Sequence, residues 1–312
     1  MIRRAARANS MLRTLLLELA KSSRLRRWIT SNGTARRWAR RFVPGEQLTA
    51  AIEAARASNR AGMSVSLDHL GENVGSREDA ERACTTYMEV LDQIAAAGLD
   101  ANVSLKLTHL GLDLGDDFCA QQLRKITRRA TETGKFVRVD MESSAYTDRT
   151  LRLVREARAE SPAVGTVIQS CLFRSERDIR DLLEIGCRIR LVKGAYREPP
   201  QIAFPRKKDV DANFVALMKI LLPSGIYHAL ATHDPAMIDA AIRFAAEREI
   251  PKDKFEFQML YGIRTDLQAR LVQQGFRVRV YIPFGQDWFP YFMRRLAERP
   301  ANLLFFAKNL FR

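Results

Sequence analysis

Two arginines stand side by side in "YFMRRLAERP" (291–300), on a stretch whose apolar spacing reads as a helix. Arg294 and Arg295 project about 100° apart on such a helix, so they either form a solvated surface or converge on one anion. Other residues able to do chemistry recur at the ends of short apolar runs. They are Asp68, His69 and Glu72; Lys106; Asp140 and Glu142; Gln169; Arg190 and Lys193; Thr232, His233 and Asp234; Gln258 and Tyr261; and Tyr281. A lysine, an aspartate and an arginine inside apolar strands would each cost several kcal/mol if left unpaired. Together they point to a polar pocket that takes an anionic ligand. Singly each has a plainer reading: Lys106 facing solvent, or Asp140 paired with Arg138 or with a neighbouring strand. His69 and His233 lack any H-x-H or H-x-x-x-H spacing, so a metal site is not expected. Ser143, Ser144 and Cys171 have no base partner in the pattern, which argues against a covalent nucleophile.

The runs that carry these residues are "MSVSLDHLG" (63–71), "ANVSLKLTHLG" (101–111), "FVRVDMESS" (136–144), "VGTVIQSCL" (164–172), "RIRLVKGAY" (188–196), "YHALATHD" (227–234), "FEFQMLYG" (255–262) and "RVRVYIPFG" (277–285). Between them lie amphipathic helical patterns such as "REDAERACTTYMEVLDQIAAAG" (77–98). Gly98, Gly134, Gly186 and Gly275 sit where helices should end. Eight β-then-α units in series predict an α/β fold, a closed (β/α)₈ barrel with its active site at the C-terminal ends of the strands. An open doubly wound sheet would want G-x-G-x-x-G after the first strand, and "LDHLGENVG" is not that. "VPGE" (43–46) reads as a turn, and "EQLTAAIEAARASNRAG" (46–62) as a helix entering the first strand.

The formal charge is +15, of which +11 falls in residues 1–45, with twelve Lys/Arg against the single Glu18. The division expected is a basic helical lead-in over 1–60 and a barrel over 61–312. A basic head suits an anionic membrane surface, nucleic acid or a transit peptide, or simply a solvated amphipathic helix. No stretch approaches the ~20 apolar residues that span a bilayer. Cys84, Cys119, Cys171 and Cys187 fit neither a zinc motif nor a disulfide framework and read as reduced thiols. A nucleic-acid platform would interleave aromatics with basic residues, and here the two are separated.

The ordered blocks "LDHLGE" (67–72), "SLKLTHLG" (104–111), "VRVDME" (137–142), "IQSCL" (168–172), "RLVKGAYREP" (190–199), "ATHD" (231–234), "FEFQMLYG" (255–262) and "YIPFG…YFMRRLAERPAN" (281–302) resemble the proline dehydrogenases over roughly residues 40–305. The short length is similar to that of the monofunctional bacterial members. The resemblance implies a distorted (β/α)₈ barrel with N-terminal helices and the last helix over the mouth. It implies FAD held without a covalent link, L-proline as substrate and membrane quinone as electron acceptor. It places Lys106, Arg294 and Arg295 on the proline carboxylate, and Tyr281, Tyr196, Leu260 and Ala195 around the pyrrolidine ring. Arg190 matches the arginine at the flavin N5 edge, and Asp140 an acidic residue of the active site. Met141, Gln169, Val192, Lys193, Gly194, Ala195, Thr232, His233 and Gln258 match flavin contacts, and Glu72 the gate carboxylate that pairs with Arg294. Glu298 would brace Arg295. Arg197 departs from relatives with Trp there and is given no role. Relatives acting on 4-hydroxyproline tend to have a smaller residue in place of Tyr281, so Tyr281 favours proline. With quinone as acceptor, the basic head implies peripheral binding at the cytoplasmic face of the membrane, with no nucleic-acid partner.

Overall fold

The structure, a computed structural model, describes Gly33 and residues 39–298. Helix α1 (Leu48–Arg60) leads into eight alternating units: β1 (Ser64–His69), α2 (Arg77–Ala96), β2 (Ala101–Leu105), α3 (Asp116–Glu132), β3 (Val137–Val139), α4 (Thr147–Glu160), β4 (Val164–Gln169), α5 (Ser175–Glu184), β5 (Arg188–Val192), α6 (Lys207–Leu221), β6 (His228–Ala231), α7 (Pro235–Glu247), β7 (Phe255–Leu260), α8 (Thr265–Gln273), β8 (Arg277–Phe284) and α9 (Trp288–Glu298). Each strand pairs in parallel with the next, and β8 pairs with β1, so the sheet closes into a barrel. All eight runs read from the sequence are strands. Gly98, Gly134, Gly186 and Gly275 each follow a helix at φ between +61° and +81°, where an L side chain would be strained. The basic head lies almost wholly outside the described residues.

Two-residue alternation decides what fills this barrel. Val65, Leu67, Val103, Leu105, Val137, Val139, Val278 and Val280 point outward into the apolar layer beneath the helices, each at most 2% exposed. Their neighbours point to the barrel axis, and most are polar. Sequence reasoning leads one to expect an apolar interior with polarity only at the strand ends, and this differs from what is found. At the floor Glu256 accepts both contacts of Arg279 Nε (2.9 and 3.0 Å) and a bond from Tyr227 Oη (2.9 Å). Arg138 is buried beside them, donating from Nη1 to the carbonyls of Thr166 (3.0 Å) and Arg188 and stacking on Phe136. Gly165 faces that guanidinium; a Cβ there would stand 2.9 Å from Arg138 Nη1 and 2.3 Å from the Arg188 carbonyl. The helices cover the outer face, so the polar half of each strand has only the interior to occupy, and it must pair there.

Candidate active site

The floor connects to the mouth through an unbroken chain of side-chain hydrogen bonds. Gln258 donates from Nε2 to Glu256 and accepts on Oε1 from Arg190 Nε (2.5 Å). Arg190 donates from Nη1 to Asp140 Oδ1 (2.6 Å) and from Nη2 to Ser104 Oγ (3.0 Å) and Ser66 Oγ (3.4 Å). Asp140 Oδ2 accepts from Tyr281 Oη (2.8 Å), and its Oδ1 also accepts from Ser104 (3.1 Å). The Arg190 guanidinium lies 5.3 Å from the Tyr281 ring centre. Asp140 therefore pairs across the barrel with Arg190 and not with Arg138. Burial, then the charges of Asp140 and Asp68, push the Tyr281 hydroxyl well above an ordinary tyrosine, so it stays a donor.

Lys106 follows β2 and turns inward: its side chain is 12% exposed, with Nζ 3.4 and 3.5 Å from the two oxygens of Asp68. Burial pulls the ammonium down. The negative charges of Asp68, Asp140 and Glu72 outweigh that, and the net shift is upward. The solvated alternative for Lys106 is thereby overturned. Glu142, next but one to Asp140, accepts from the Thr108 amide (3.2 Å) and hydroxyl (2.7 Å), and its carboxyl is raised by burial. It props the turn after Lys106.

The remaining wall comes from β4 to β7. Gln169 donates to the Glu142 carbonyl (2.9 Å), and Met141 is buried. Lys193 is held by Asp211 (2.6 Å) and Asp234 (2.7 Å), the second of which also caps α7. Thr232 Oγ1 accepts from the Asp234 amide. His233 Nε2 accepts from the Leu260 amide (2.9 Å), which leaves the ring proton on Nδ1 in the neutral form. Val192 and Leu260 are half-buried, Ala195 is exposed, and Tyr196 is 39% exposed. Gly194 has φ +108°, and a Cβ there would lie 2.4 Å from Cys171 Sγ. The chain is bare backbone at this point.

Helix α9 crosses the mouth. It is anchored by buried Trp288, Phe289, Tyr291 and Phe292, with Trp288 Nε1 bonded to Glu46 (3.0 Å). Arg294 reaches Glu72 beyond the end of β1 (3.4 Å). Tyr196 stands on the loop after β5, where burial pushes its hydroxyl above an ordinary tyrosine. Arg295 is half-buried, its guanidinium 5.0 Å over the Tyr291 ring. The Glu298 side chain, expected to brace it, lies outside the described residues. His69 does not line the mouth. It points outward between Tyr87, His109 and Phe284.

The wall suits a flavin by the chemistry of its donors. Arg190 has five N–H bonds; Gln258, Asp140, Ser104 and Ser66 take four, which leaves one on Nη1 for a further acceptor. The bare backbone at Gly194 permits close approach. Lys106, Arg294 and Arg295 bring three cationic side chains to the mouth, where charge-assisted hydrogen bonds suit a carboxylate entering beneath α9.

Asp68, Ser66, Ser104, Glu142 and Glu256 are parts of the site to which sequence reasoning gave no role. Asp68 and Glu142 stand in the quoted strand ends. The other three were signalled by alternation in "SVSLD", "ANVSL" and "FEFQ", whose polar positions share the barrel side.

The model of the family described as proline dehydrogenase matches residues 51–308. Proline dehydrogenase 1 of Bacillus subtilis (strain 168) is 41% identical over 300 residues, 96% of this chain and 99% of that one. Proline dehydrogenase of Deinococcus radiodurans is 43% identical over 277 residues, 87% and 89% of the two chains. Among solved structures, proline utilization A (PutA) from Bdellovibrio bacteriovorus inactivated by N-propargylglycine superposes with a TM-score of 0.82 at 27% identity. That match covers 94% of this chain and only 37% of the other.

Proposed function

The chain belongs to the proline dehydrogenase family, and from that premise we propose that it oxidises L-proline to Δ1-pyrroline-5-carboxylate with non-covalent FAD. The observation that carries the reading is the convergence of Lys106, Arg190, Asp140 and Tyr281 on one barrel mouth, under the arginine-bearing face of α9. The flavin, when bound, supplies the hydride acceptor at N5; everything else falls to the chain. Lys106, Arg294 and Arg295 hold the substrate carboxylate. Tyr281, Tyr196, Leu260 and Ala195 enclose the ring and turn C5 toward the flavin. Arg190 directs its remaining N–H to the N5 edge, and Asp140 fixes that guanidinium in place. Met141, Gln169, Val192, Lys193, Gly194, Thr232, His233 and Gln258 line the flavin's side. Helix α9, closed by the Arg294–Glu72 pair, excludes water. Among the described residues no side chain is placed as a dedicated base for the amine, so its proton leaves to solvent before α9 closes over the pocket. Tyr281, held by its bond to Asp140, leaves less room beside the ring than a smaller residue would, which favours proline over 4-hydroxyproline.

Anaerobic addition of proline to the yellow holoprotein should bleach the visible flavin absorbance, and 4-hydroxyproline should do so far less. An unchanged spectrum on saturating proline would overturn the reading. A membrane quinone would serve as the electron acceptor. Residues 1–45 carry twelve Lys/Arg, each worth about 1 kcal/mol near an anionic leaflet, and bring the mouth to the cytoplasmic face of the membrane. No helix among the described residues is long and apolar enough to cross a membrane. Liposome association that survives deletion of residues 1–40 would refute this role for the head.

A further inference from the structure

We propose that Asp68 is a positioning residue for Lys106: it fixes where the ammonium stands and keeps it charged, so that the pocket presents a cation to the substrate carboxylate at every working pH. The inference rests on the reading that the pocket takes a carboxylate. Asp68 is 1% exposed, on the barrel side of β1, level with Ser104 of β2, so Lys106 stands two residues further along β2 toward the mouth. Its two oxygens lie 3.4 and 3.5 Å from Nζ. A near-symmetric contact of this kind centres the ammonium above the carboxylate and leaves its outer N–H bonds to point into the mouth.

The groups around Lys106 make Asp68 the partner that decides. Asp140 reaches it from the end of β3, but that carboxylate already accepts from Arg190, Tyr281 and Ser104. Glu72 reaches it from the loop after β1, but is engaged by Arg294. The Tyr196 hydroxyl faces it from the loop after β5. Glu142, just past β3, is taken up by Thr108 in the turn that follows Lys106, and His69 and His109 lie behind the sheet, where burial lowers both imidazoles. Asp68 makes the one salt bridge recorded for Lys106 among the described residues, and burial alone would drive that ammonium toward the neutral amine.

The test measures binding of cyclopentanecarboxylate, which offers the acid group without an oxidisable amine, to the FAD-loaded protein by calorimetry at pH 7 and pH 9.5. The wild type should bind equally at both. Asp68→Asn should bind more weakly at pH 9.5 than at pH 7, because a buried Lys106 that loses its carboxylate partner gives up its proton and no longer offers a charge to the acid group. Lys106→Met should bind poorly at both pH values, and adding Asp68→Asn to it should introduce no pH dependence. Asp68→Glu should restore the flat profile. Should Asp68→Asn not fold, Asp68→Ser must show the same loss at high pH. A flat profile in the folded Asp68 variant, with wild-type binding intact, overturns the inference. Failure of the wild type itself to bind the probe overturns the carboxylate pocket on which it rests.

Discussion

Replacing Glu256 by glutamine should destabilise the barrel from the floor upward. Glu256 is 2% exposed and makes the closer salt bridge of buried Arg279, at 2.9 Å against 4.0 Å for the exposed Asp100, with Arg138 and Arg188 also at that level. Its two oxygens take both Arg279 Nε contacts, the Tyr227 hydroxyl and the Gln258 amide. Glutamine keeps the shape, removes the charge and turns one acceptor into a donor facing other donors. Removing one partner of a buried pair costs about 3–5 kcal/mol. For a chain of this size each kcal/mol moves the melting temperature by about 2 °C, so a fall of about 6–10 °C is expected at pH 7 by scanning calorimetry. Burial raises the Glu256 carboxyl, Arg279 and the hydrogen bonds lower it further, and the net shift is downward. Its contribution is therefore complete above the unfolded carboxyl value near ~4.3 and is lost as pH falls through the lower folded value. The gap between variant and wild type should close only below about pH 4. A melting temperature within about 2 °C of wild type at pH 7 would refute the claim that this carboxylate holds the floor together.

Two further outcomes follow from the same geometry. His109, buried against His69 and Tyr87, has its imidazole pushed down to about 3, by burial first and by His69 second. Its folded value lies below the unfolded one near ~6.5, so its stabilisation is complete above that pH and is lost as pH falls toward 3; the stability of His109→Leu should decline less between pH 6.5 and 4 in urea titrations, and a parallel decline would refute this. Gly165→Ala should lower the urea midpoint by the equivalent of at least about 2 kcal/mol, because its Cβ meets the Arg188 carbonyl and cannot be relieved by a rotamer change; an unchanged midpoint would mean that β4 and β5 do not approach as described.

The eight strands were legible because each apolar run ends in turn residues and is followed by a helix-period segment. What was not read from the sequence is the inside of the barrel. "FEFQ", "RVRV" and "VRVD" resemble half-exposed strands, whose polar face would ordinarily meet water. Only closure of the sheet turns that face inward, and closure is a long-range event with β8 pairing to β1. The same reasoning explains Lys106 and Asp140. Either could have been solvated or locally paired, and their true partners, Asp68 and Arg190, lie 38 and 50 residues away in sequence. His69 packs behind the sheet, beside Asp68 on the barrel side, because one position along a strand reverses its face. The Arg294–Glu72 pair, 222 residues apart, was reached through family resemblance and not through spacing.

A cationic lid that grips the carboxylate of proline over the barrel mouth should lose its hold when Arg295 is shortened, and the KM for proline of Arg295→Met reads that loss. A charged hydrogen bond is worth about 1.5–3 kcal/mol, so KM should rise roughly 10- to 150-fold while the holoprotein keeps its flavin spectrum. A KM within about twofold of wild type would take Arg295 out of the substrate site and leave the lid without its grip on the carboxylate.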